Sequence, residues 1–340
     1  MKIIKILAIL GLWSLSIMGC SEKVETTPTP VTPTTPVTPT IPATSFFTDP
    51  TMKKANLVSV SFATDQILYA FGNDVSKGYL FKSTDLGKTW TEVNFSASNP
   101  IMQSVSFKDE KVGILNGKNV LGTADGGTTW TLIARPTDAQ QTVYSKNQEG
   151  LVLKQIYDNF HSKKYTEIHS INTANLTQTT YVTLGGYIND GHFLKDKLGI
   201  FVGDLGAINV IVTKTDGSYD YIDQIKPVTE DLLSVYLVSD KKAFVGGKNS
   251  TFLKTIDGGI KWAVIKTGVA GNVSKLAFQT ENLGYGIVMD GSKTNLYKIE
   301  DAGAKWTKIT TPDTAVFNDL KINSQGKAIA VGKDGGVYLF

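Results

Sequence analysis

Arginine and cysteine each occur once in this sequence, as Arg135 and Cys20, and there are only three histidines. One arginine cannot form the clustered bidentate contacts with which proteins grip carboxylates and phosphates. One cysteine has neither a disulfide partner nor a second thiol for a zinc site. His161, His169 and His192 lack the short spacing of metal ligands. The sequence therefore predicts no metal site and no cofactor.

Strong net charge and catalytic motifs are also missing. The formal charge is +3, from 34 basic and 31 acidic residues. A chain this close to neutrality has no concentrated basic face, so we expect no nucleic-acid binding. There is no nucleophile elbow, phosphate loop or dinucleotide fingerprint. Spacing alone therefore assigns no catalytic residue.

The N-terminus has the layout of an export signal. Lys2 and Lys5 precede an apolar stretch at residues 6–18, which is too short to span a bilayer comfortably. Ile17-Met18-Gly19-Cys20 resembles a bacterial lipobox, which implies cleavage before Cys20 and acylation of that residue. We therefore expect residues 1–19 to be a lipoprotein signal peptide and Cys20 to be lipidated.

The residue after the cysteine and the composition beyond it refine this prediction. Ser21 stands where an Asp often retains lipoproteins in the inner membrane, so we expect an outer-membrane protein in a bacterial cell envelope. Residues 20–43 are rich in Thr and Pro and contain no aromatic side chain. Such a composition cannot build a core and predicts an extended tether between the lipid and a folded domain at residues 44–340.

One short pattern recurs four times in that domain. It has an Asp followed five residues later by a Trp, with a Gly between them, and it lies between two strand-like apolar runs. Asp accepts backbone hydrogen bonds and Gly tolerates positive φ, so each copy is typical of a hairpin turn. The paired residues are Asp85 and Trp90, Asp125 and Trp130, Asp257 and Trp262, and Asp301 and Trp306.

The spacing of these turns predicts the architecture. Asp85 and Asp125 lie 40 residues apart, and Asp257 and Asp301 lie 44 apart, which is the length of a four-stranded propeller blade. No segment shows a helical period, so we expect an all-β fold. Counting periods predicts a seven-bladed β-propeller, with six or eight blades as alternatives. The last period lacks a fourth strand, and the apolar residues 44–48 are expected to supply it and close the ring.

The four turns resemble Asp-box (BNR) repeats, which occur in sialidases and in photosystem II assembly-factor-like lipoproteins. The resemblance covers roughly residues 57–340 and implies a propeller in which the repeat residues are structural. A sialidase resembling this family would need an arginine triad, which Arg135 alone cannot supply. Relatives that cleave glucans use a pair of carboxylates in a cleft.

Aromatic and polar residues break the repeat in the middle of the domain. Polar-aromatic loops at one rim of a propeller suit recognition of a protein or a sugar. The predicted ligand-binding residues are Tyr157, Phe160, Tyr165, Tyr187, His192 and Phe193. We therefore expect a non-catalytic binding or assembly module for a protein or glycan partner. The alternative is a glycoside hydrolase with acidic residues at the central opening.

Overall fold

The computed structural model describes residues 45–96, 100–117, 119–134, 139–144, 150–158, 163–172, 177–194, 198–214, 219–223 and 226–340. The described part is built from 28 strands and three short 3-10 turns, with no α-helix among these residues. The expectation of an all-β fold is confirmed. None of the described residues forms a helix long and apolar enough to cross a membrane.

The strands follow one another along the chain with short connections. In chain order they are β1 (Ser45–Thr48), β2 (Asn56–Phe62), β3 (Leu68–Asn73), β4 (Gly78–Ser83), β5 (Thr91–Val93), β6 (Met102–Phe107), β7 (Gly113–Gly117), β8 (Val120–Thr123), β9 (Thr131–Ala134), β10 (Ala139–Tyr144), β11 (Gly150–Asp158), β12 (Lys163–Asn172), β13 (Thr177–Gly185), β14 (Ile188–Leu194), β15 (Leu198–Gly203), β16 (Ile208–Thr213), β17 (Tyr219–Asp223), β18 (Leu232–Leu237), β19 (Ala243–Gly247), β20 (Phe252–Thr255), β21 (Ala263–Val264), β22 (Asn272–Thr280), β23 (Leu283–Asp290), β24 (Lys293–Glu300), β25 (Lys305–Lys308), β26 (Phe317–Ile322), β27 (Ala328–Gly332) and β28 (Gly336–Leu339). The 3-10 turns are Asp204–Gly206, Asp301–Gly303 and Lys333–Gly335.

These strands form seven four-stranded antiparallel sheets in the described part of the chain. Sheets 1 to 6 each take four consecutive strands, beginning at β2, β6, β10, β14, β18 and β22. Sheet 7 contains β26, β27, β28 and β1. The first strands of successive sheets contact each other in order, and β26 of sheet 7 contacts β2 of sheet 1. The sheets are therefore arranged as a ring, and their first strands form its inner wall.

Sheet 7 joins the two ends of the described chain. Strand β1 pairs antiparallel with β28, and the register runs from Ser45 opposite Leu339 to Thr48 opposite Gly336. The pairing predicted from the unassigned apolar residues 44–48 is present over these four positions. It covers the edge of β28, whose apolar side chains Val337 and Tyr338 are buried.

The cores lie between neighbouring sheets. The core between sheets 7 and 1 combines Val60 and Leu68 with Ile329, Val331 and Val337, all of which are fully buried. Where a sheet is covered on both faces, its second strand can be buried without alternation, as in β27, where every residue is buried. Each sheet thus depends on both of its neighbours for burial.

The first strand of every sheet, which lies at the inner wall, shows a break in its register with the second strand. The break falls at the same position in all seven sheets. The paired residues on either side of the shift are Leu57 and Ser59, Met102 and Ser104, Ala139 and Gln141, Ile188 and Asp190, Leu232 and Ser234, Val273 and Lys275, and Phe317 and Asp319. A β-bulge re-aims the side chains that follow it. The second residue of each pair is called the post-bulge residue below.

Candidate functional site

The four repeat turns connect the third and fourth strands of their sheets. In the second turn the Thr123 hydroxyl donates to Asp125 Oδ1 at 2.8 Å and accepts the N–H of Gly127 at 2.9 Å. Asp125 also accepts the N–H and the hydroxyl of Thr129, at 2.9 and 2.6 Å. These hydrogen bonds lower the pKa of Asp125 to about 2, and the bond from the Thr129 hydroxyl has the largest effect. The Asp125 carboxylate therefore stabilises the turn through these hydrogen bonds.

The first and third turns repeat this arrangement, and the fourth departs from it. The corresponding hydroxyl, carboxylate and glycine are Ser83, Asp85 and Gly87, and Thr255, Asp257 and Gly259. In the fourth turn Ile299 replaces the hydroxyl residue, and its side chain is buried in the core. The Asp301 carboxylate makes no hydrogen bond with the described residues, and Asp301 itself has a positive φ of 52°, so this turn lacks the side-chain network and differs in backbone conformation at its Asp.

The tryptophans pack inward from these turns. Each indole N–H donates to a glycine carbonyl three residues earlier: Trp90 to Gly87, Trp130 to Gly127, Trp262 to Gly259 and Trp306 to Gly303, at 2.9 to 3.1 Å. The rings then enter the core between their own sheet and the preceding one. This geometry explains why the pattern recurs, because the glycine positions the carbonyl and the ring joins two sheets.

A cavity of about 450 Å³ lies inside the ring of inner strands. Its lining comes from β2, β6, β14, β18, β22 and β26, and it is rich in serine hydroxyls. The charged side chains in the lining are Lys108, Lys275 and Lys321 against Asp190 and Asp319. Among the described lining residues, three ammonium groups and two carboxylates are present.

Four post-bulge residues link their sheet to the next one across this inner wall. Ser59 Oγ in sheet 1 accepts the N–H of Val105 in sheet 2 at 3.2 Å. Asp190 Oδ2 in sheet 4 accepts the N–H of Val235 in sheet 5 at 2.9 Å. Two further links of this kind join sheet 5 to sheet 6 and sheet 7 to sheet 1, through Ser234 with Leu276 and Asp319 with Val60. The cavity wall is thus part of the structural framework.

Asp319 is the most buried charged group of the wall, with 3% of its surface exposed. Burial opposes its ionisation, but the ammonium groups of Lys321 and Lys275, a hydrogen bond from Lys321 and one from the Val60 N–H hold its pKa below the ordinary value. Lys321 Nζ lies 2.9 Å from Asp319 Oδ1. The carboxylate is therefore ionised inside the cavity wall.

His192 and Tyr236 form an aromatic pair on the same wall. His192 Nδ1 accepts the N–H of Leu237 at 3.2 Å, so this ring nitrogen carries no proton. The two rings meet edge to face, with centroids 4.8 Å apart. Burial raises the pKa of Tyr236 to about 12, so its hydroxyl is protonated at neutral pH. The pair offers an aromatic surface beside the charged part of the wall.

The structure separates the predicted ligand-binding residues. Only His192, among those it describes, lines the cavity. Phe193 is 3% exposed and packs in the core, so its ring is not open to a ligand. Tyr165 on β12 and Tyr187 before β14 are half-buried. The Tyr157 side chain and the whole of Phe160 lie outside the described residues.

The histidines and acidic residues in the described part form no metal site, since no three potential ligands are grouped there. His169 Nε2 lies 3.0 Å from Glu167 Oε2, and His192 is engaged as described above. His161 lies outside the described residues. The post-bulge residues of the inner strands were not predicted from the sequence. The available signal was a polar residue at the same place in several otherwise apolar strands.

Comparison with solved structures decides the fold. The chain is similar to YCF48 bound to a D1 peptide, with a TM-score of 0.68, 16% identity, and coverage of 87% of this chain and 96% of that one. The chain folds as a β-propeller. YCF48 from Cyanidioschyzon merolae gives a TM-score of 0.66 and 14% identity, covering 87% of this chain and 98% of that one. The U3-55K structure gives a TM-score of 0.63 and 11% identity, with 84% and 95% covered.

These similarities concern the fold. No protein-family model matches the chain, and no curated protein matches it. The likeness of the propeller to the photosystem II assembly factors is supported by the YCF48 structures. At identities of 14 and 16% the shared feature is the architecture, because one propeller fold carries many functions.

Proposed function

We propose that this chain is a cell-envelope lipoprotein whose propeller binds a protein partner without catalysing a reaction. The observation that carries the proposal is the similarity to a YCF48 propeller that was solved with a peptide bound, and 96% of that chain is covered. Sheets 1 to 7 are, in this proposal, the seven blades of one closed ring, and β1 completes the last blade. A glycan is the alternative ligand.

The carboxylates of the cavity disfavour the competing glycoside hydrolase. A glycosidase needs a general acid whose pKa is raised, together with a second carboxylate that faces the sugar. Asp319 has a lowered pKa, and its oxygens accept Val60 N–H, Leu320 N–H and Lys321. Asp190 also accepts a backbone N–H, and its sheet is separated from sheet 7 by sheets 5 and 6. Both carboxylates accept hydrogen bonds that connect neighbouring sheets.

One face of the ring offers a surface for a protein. Because successive strands are antiparallel, the connections between second and third strands lie at the same face as the connections between sheets. Val75 is fully exposed there, Leu205 is 66% exposed and Ile101 is 49% exposed. The half-buried Tyr187 lies in a connection of the same kind. A partner that covers this face would bury these exposed apolar side chains.

The test of binding uses the domain from Ser45 immobilised on beads. We expect it to retain a defined protein from an envelope extract of the source bacterium, and Val75→Ser with Leu205→Ser to reduce that retention. Thr91→Ser, on the outer edge of sheet 1, is the matched control. A glycan array with turnover assays runs in parallel. Release of reducing ends at enzymatic rates, or no retained protein, would reject the proposal.

The lipid anchor has its own test. We propose that Cys20 is acylated after removal of residues 1–19 and that residues 20–43 tether the propeller to the outer membrane. Cys20→Ser should abolish palmitate labelling and release the protein from the membrane fraction, whereas Ser21→Ala should leave both unchanged. Membrane association of the Cys20→Ser protein without labelling would reject the anchor while leaving the binding proposal intact.

A further inference from the structure

The third repeat turn carries two exposed isoleucines that the other three turns do not have. Ile256 precedes the Asp of the repeat and is 64% exposed, and Ile260 follows its second glycine and is 61% exposed. The corresponding residues of the other turns are small, polar or charged. They are Thr84, Ala124 and Glu300 before the Asp, and Lys88, Thr128 and Ala304 after the glycine. Large apolar side chains at both positions therefore distinguish the third turn.

Two hydrogen bonds hold the backbones of these isoleucines close together. The N–H of Gly259 donates to Thr255 Oγ at 3.0 Å, and the N–H of Lys261 donates to Asp257 Oδ1 at 2.9 Å. Each bond joins a chain neighbour of one isoleucine to a chain neighbour of the other. The two exposed side chains therefore start from adjacent points of one turn. The hydrogen bonds of the turn use neither of these side chains.

The chain enters the propeller at the face that carries the repeat turns. Strand β1 begins with Ser45, which lies opposite Leu339 at the end of β28. Leu339 lies beside the first repeat turn, since a Cβ added to Gly87 would be 3.3 Å from its Cδ2. The connections between third and fourth strands all lie at one face of the ring, because successive strands are antiparallel. Residues 20–43 therefore join the domain at the face on which the two isoleucines are exposed.

This attachment favours a lipid surface as the partner of the two isoleucines. Residues 20–43 span at most about 80 Å even when fully extended, so a propeller anchored through them stays near the lipid. A weak contact with the lipid is then sufficient, because the tether raises the effective concentration of the turn at that surface.

Exposed lysines beside the third turn suit such a contact. Lys261 follows Ile260 directly. Lys241 is next to the turn because its carbonyl accepts the N–H of Gly258 at 2.9 Å. Lysine side chains can keep their ammonium groups among the lipid headgroups while apolar neighbours enter the interface. The turn therefore combines apolar side chains with cations that tolerate a lipid surface.

We propose that the third repeat turn is a membrane-contact site, at which Ile256 and Ile260 enter the headgroup region of the bilayer that holds the anchor. This inference rests on the lipid-anchor part of the proposed function, since an anchored propeller is confined to that surface. The face with the repeat turns then lies toward the lipid. The opposite face, with the exposed Val75 and Leu205, stays open to a protein partner.

The experiment holds the mature chain on vesicles without acylation. The chain carries Cys20→Ser and a polyhistidine tag in front of residue 20, and the vesicles contain phosphatidylethanolamine, phosphatidylglycerol and a nickel-chelating lipid. Because Cys20 is the single cysteine, an NBD dye attaches only to an introduced cysteine. The dye is placed by Lys261→Cys beside the isoleucines or by Leu205→Cys on the opposite face. We expect blue-shifted emission and quenching by spin-labelled acyl chains at position 261, and neither at position 205.

The matched variant is Ile256→Thr with Ile260→Thr, which introduces the residue found at positions 84 and 128. The hydroxyl, carboxylate and glycines of the turn are unchanged, so the variant should keep the wild-type melting temperature. Quenching at position 261 should fall by about threefold or more, because the apolar area that enters the lipid is lost. Val75→Ser with Leu205→Ser removes two exposed apolar side chains from the opposite face and should keep wild-type quenching.

The outcomes separate this site from the proposed function. A water-like signal at position 261, equal signals at positions 261 and 205, or unchanged quenching in the threonine variant would overturn the membrane-contact site, even where palmitate labelling shows that Cys20 is acylated. A blue shift without vesicles that grows with protein concentration would also overturn it, because a second copy of the chain would then cover the isoleucines. Quenching that is lost in the threonine variant would establish the site, even where palmitate labelling is absent or no protein is retained on the beads.

Discussion

Asp319 Oδ2 accepts the backbone N–H of Val60 across 2.9 Å, although 259 residues of chain separate the two. The bond joins sheet 7 to sheet 1, where the ring returns to its beginning. The equivalent links at Ser59 and Ser234 use a neutral hydroxyl, whereas this one uses a carboxylate that also binds Leu320 N–H and Lys321. Charge-assisted hydrogen bonds are about twice as strong as neutral ones. The closing junction, like that at Asp190, therefore has a stronger acceptor than the junctions at Ser59 and Ser234.

Removal of the Asp319 carboxylate should destabilise the ring more than removal of the Ser234 hydroxyl. We expect Asp319→Ala to reduce the free energy of unfolding by about 2–3 kcal/mol, because a backbone N–H and an ammonium group lose their acceptor. Ser234→Ala should reduce it by about 1 kcal/mol. Urea unfolding of both variants measures the difference. Equal effects would contradict a special role for the closing carboxylate.

Truncation of a repeat tryptophan should open a space between two sheets. Trp90 is 4% exposed and packs against Ile329 and Val337 of sheet 7 as well as its own sheet. Trp90→Ala should therefore lower the free energy of unfolding by about 3–5 kcal/mol, measured by urea denaturation. Trp130→Ala should have a smaller effect, since that ring is only half-buried. Thr91→Ala, which changes an exposed neighbour, should be close to neutral.

Deletion of residues 44–48 should expose the edge of β28. Four backbone-paired positions would be lost, and the buried Val337 and Tyr338 would border an open edge. We expect a marked fall in melting temperature and a tendency to associate, measured by thermal unfolding and size-exclusion chromatography. A deletion of the same length at residues 30–34, outside the described chain, is the control. An unchanged melting temperature after the first deletion would show that β1 contributes nothing to closure.

Acid should weaken the repeat turns. The pKa of Asp125 falls from 3.8 to about 2 in the folded protein, so the folded state favours its carboxylate form. The stability contributed by this group is present above pH 3.8 and is lost as the pH falls through about 2. The melting temperature of the wild type should therefore drop more steeply across this interval than that of Asp125→Asn. Asp301→Asn, at the turn whose carboxylate makes no hydrogen bond with the described residues, should retain the wild-type slope.

Local patterns in the sequence predicted the strands and their turns. The Asp, Gly and Trp spacing marked the third and fourth strands of four sheets, because those contacts lie within eight residues of each other. The pairing of residues 44–48 with β28 was predicted from a missing strand and an unassigned apolar segment. It followed from the need to cover an edge rather than from any local signal.

The cavity could not be predicted in the same way. Its wall depends on contacts between sheets, such as that from Ser234 to Leu276, 42 residues away. The bulge before each post-bulge residue decides which side chain reaches the next sheet, and its local signal is limited to the polar residue that follows it. Phe193 shows the same limit, because its position among aromatic residues indicated a surface, while the alternation of β14 places it in the core. The positions of these residues follow from the arrangement of the sheets in a ring, which local sequence patterns do not show.

The pairing of β1 with β28 also bears on the order in which the sheets form during folding. The entropy lost on joining two segments rises with the length of chain between them, and contacts this distant in sequence form slowly. The other sheets use strands that are consecutive in the chain, so they can assemble while β28 is still unpaired. We therefore expect completion of sheet 7 to be a late, slow step of folding. Until it occurs, the open edge of β28 is the place where the nascent domain is most prone to pair with another chain.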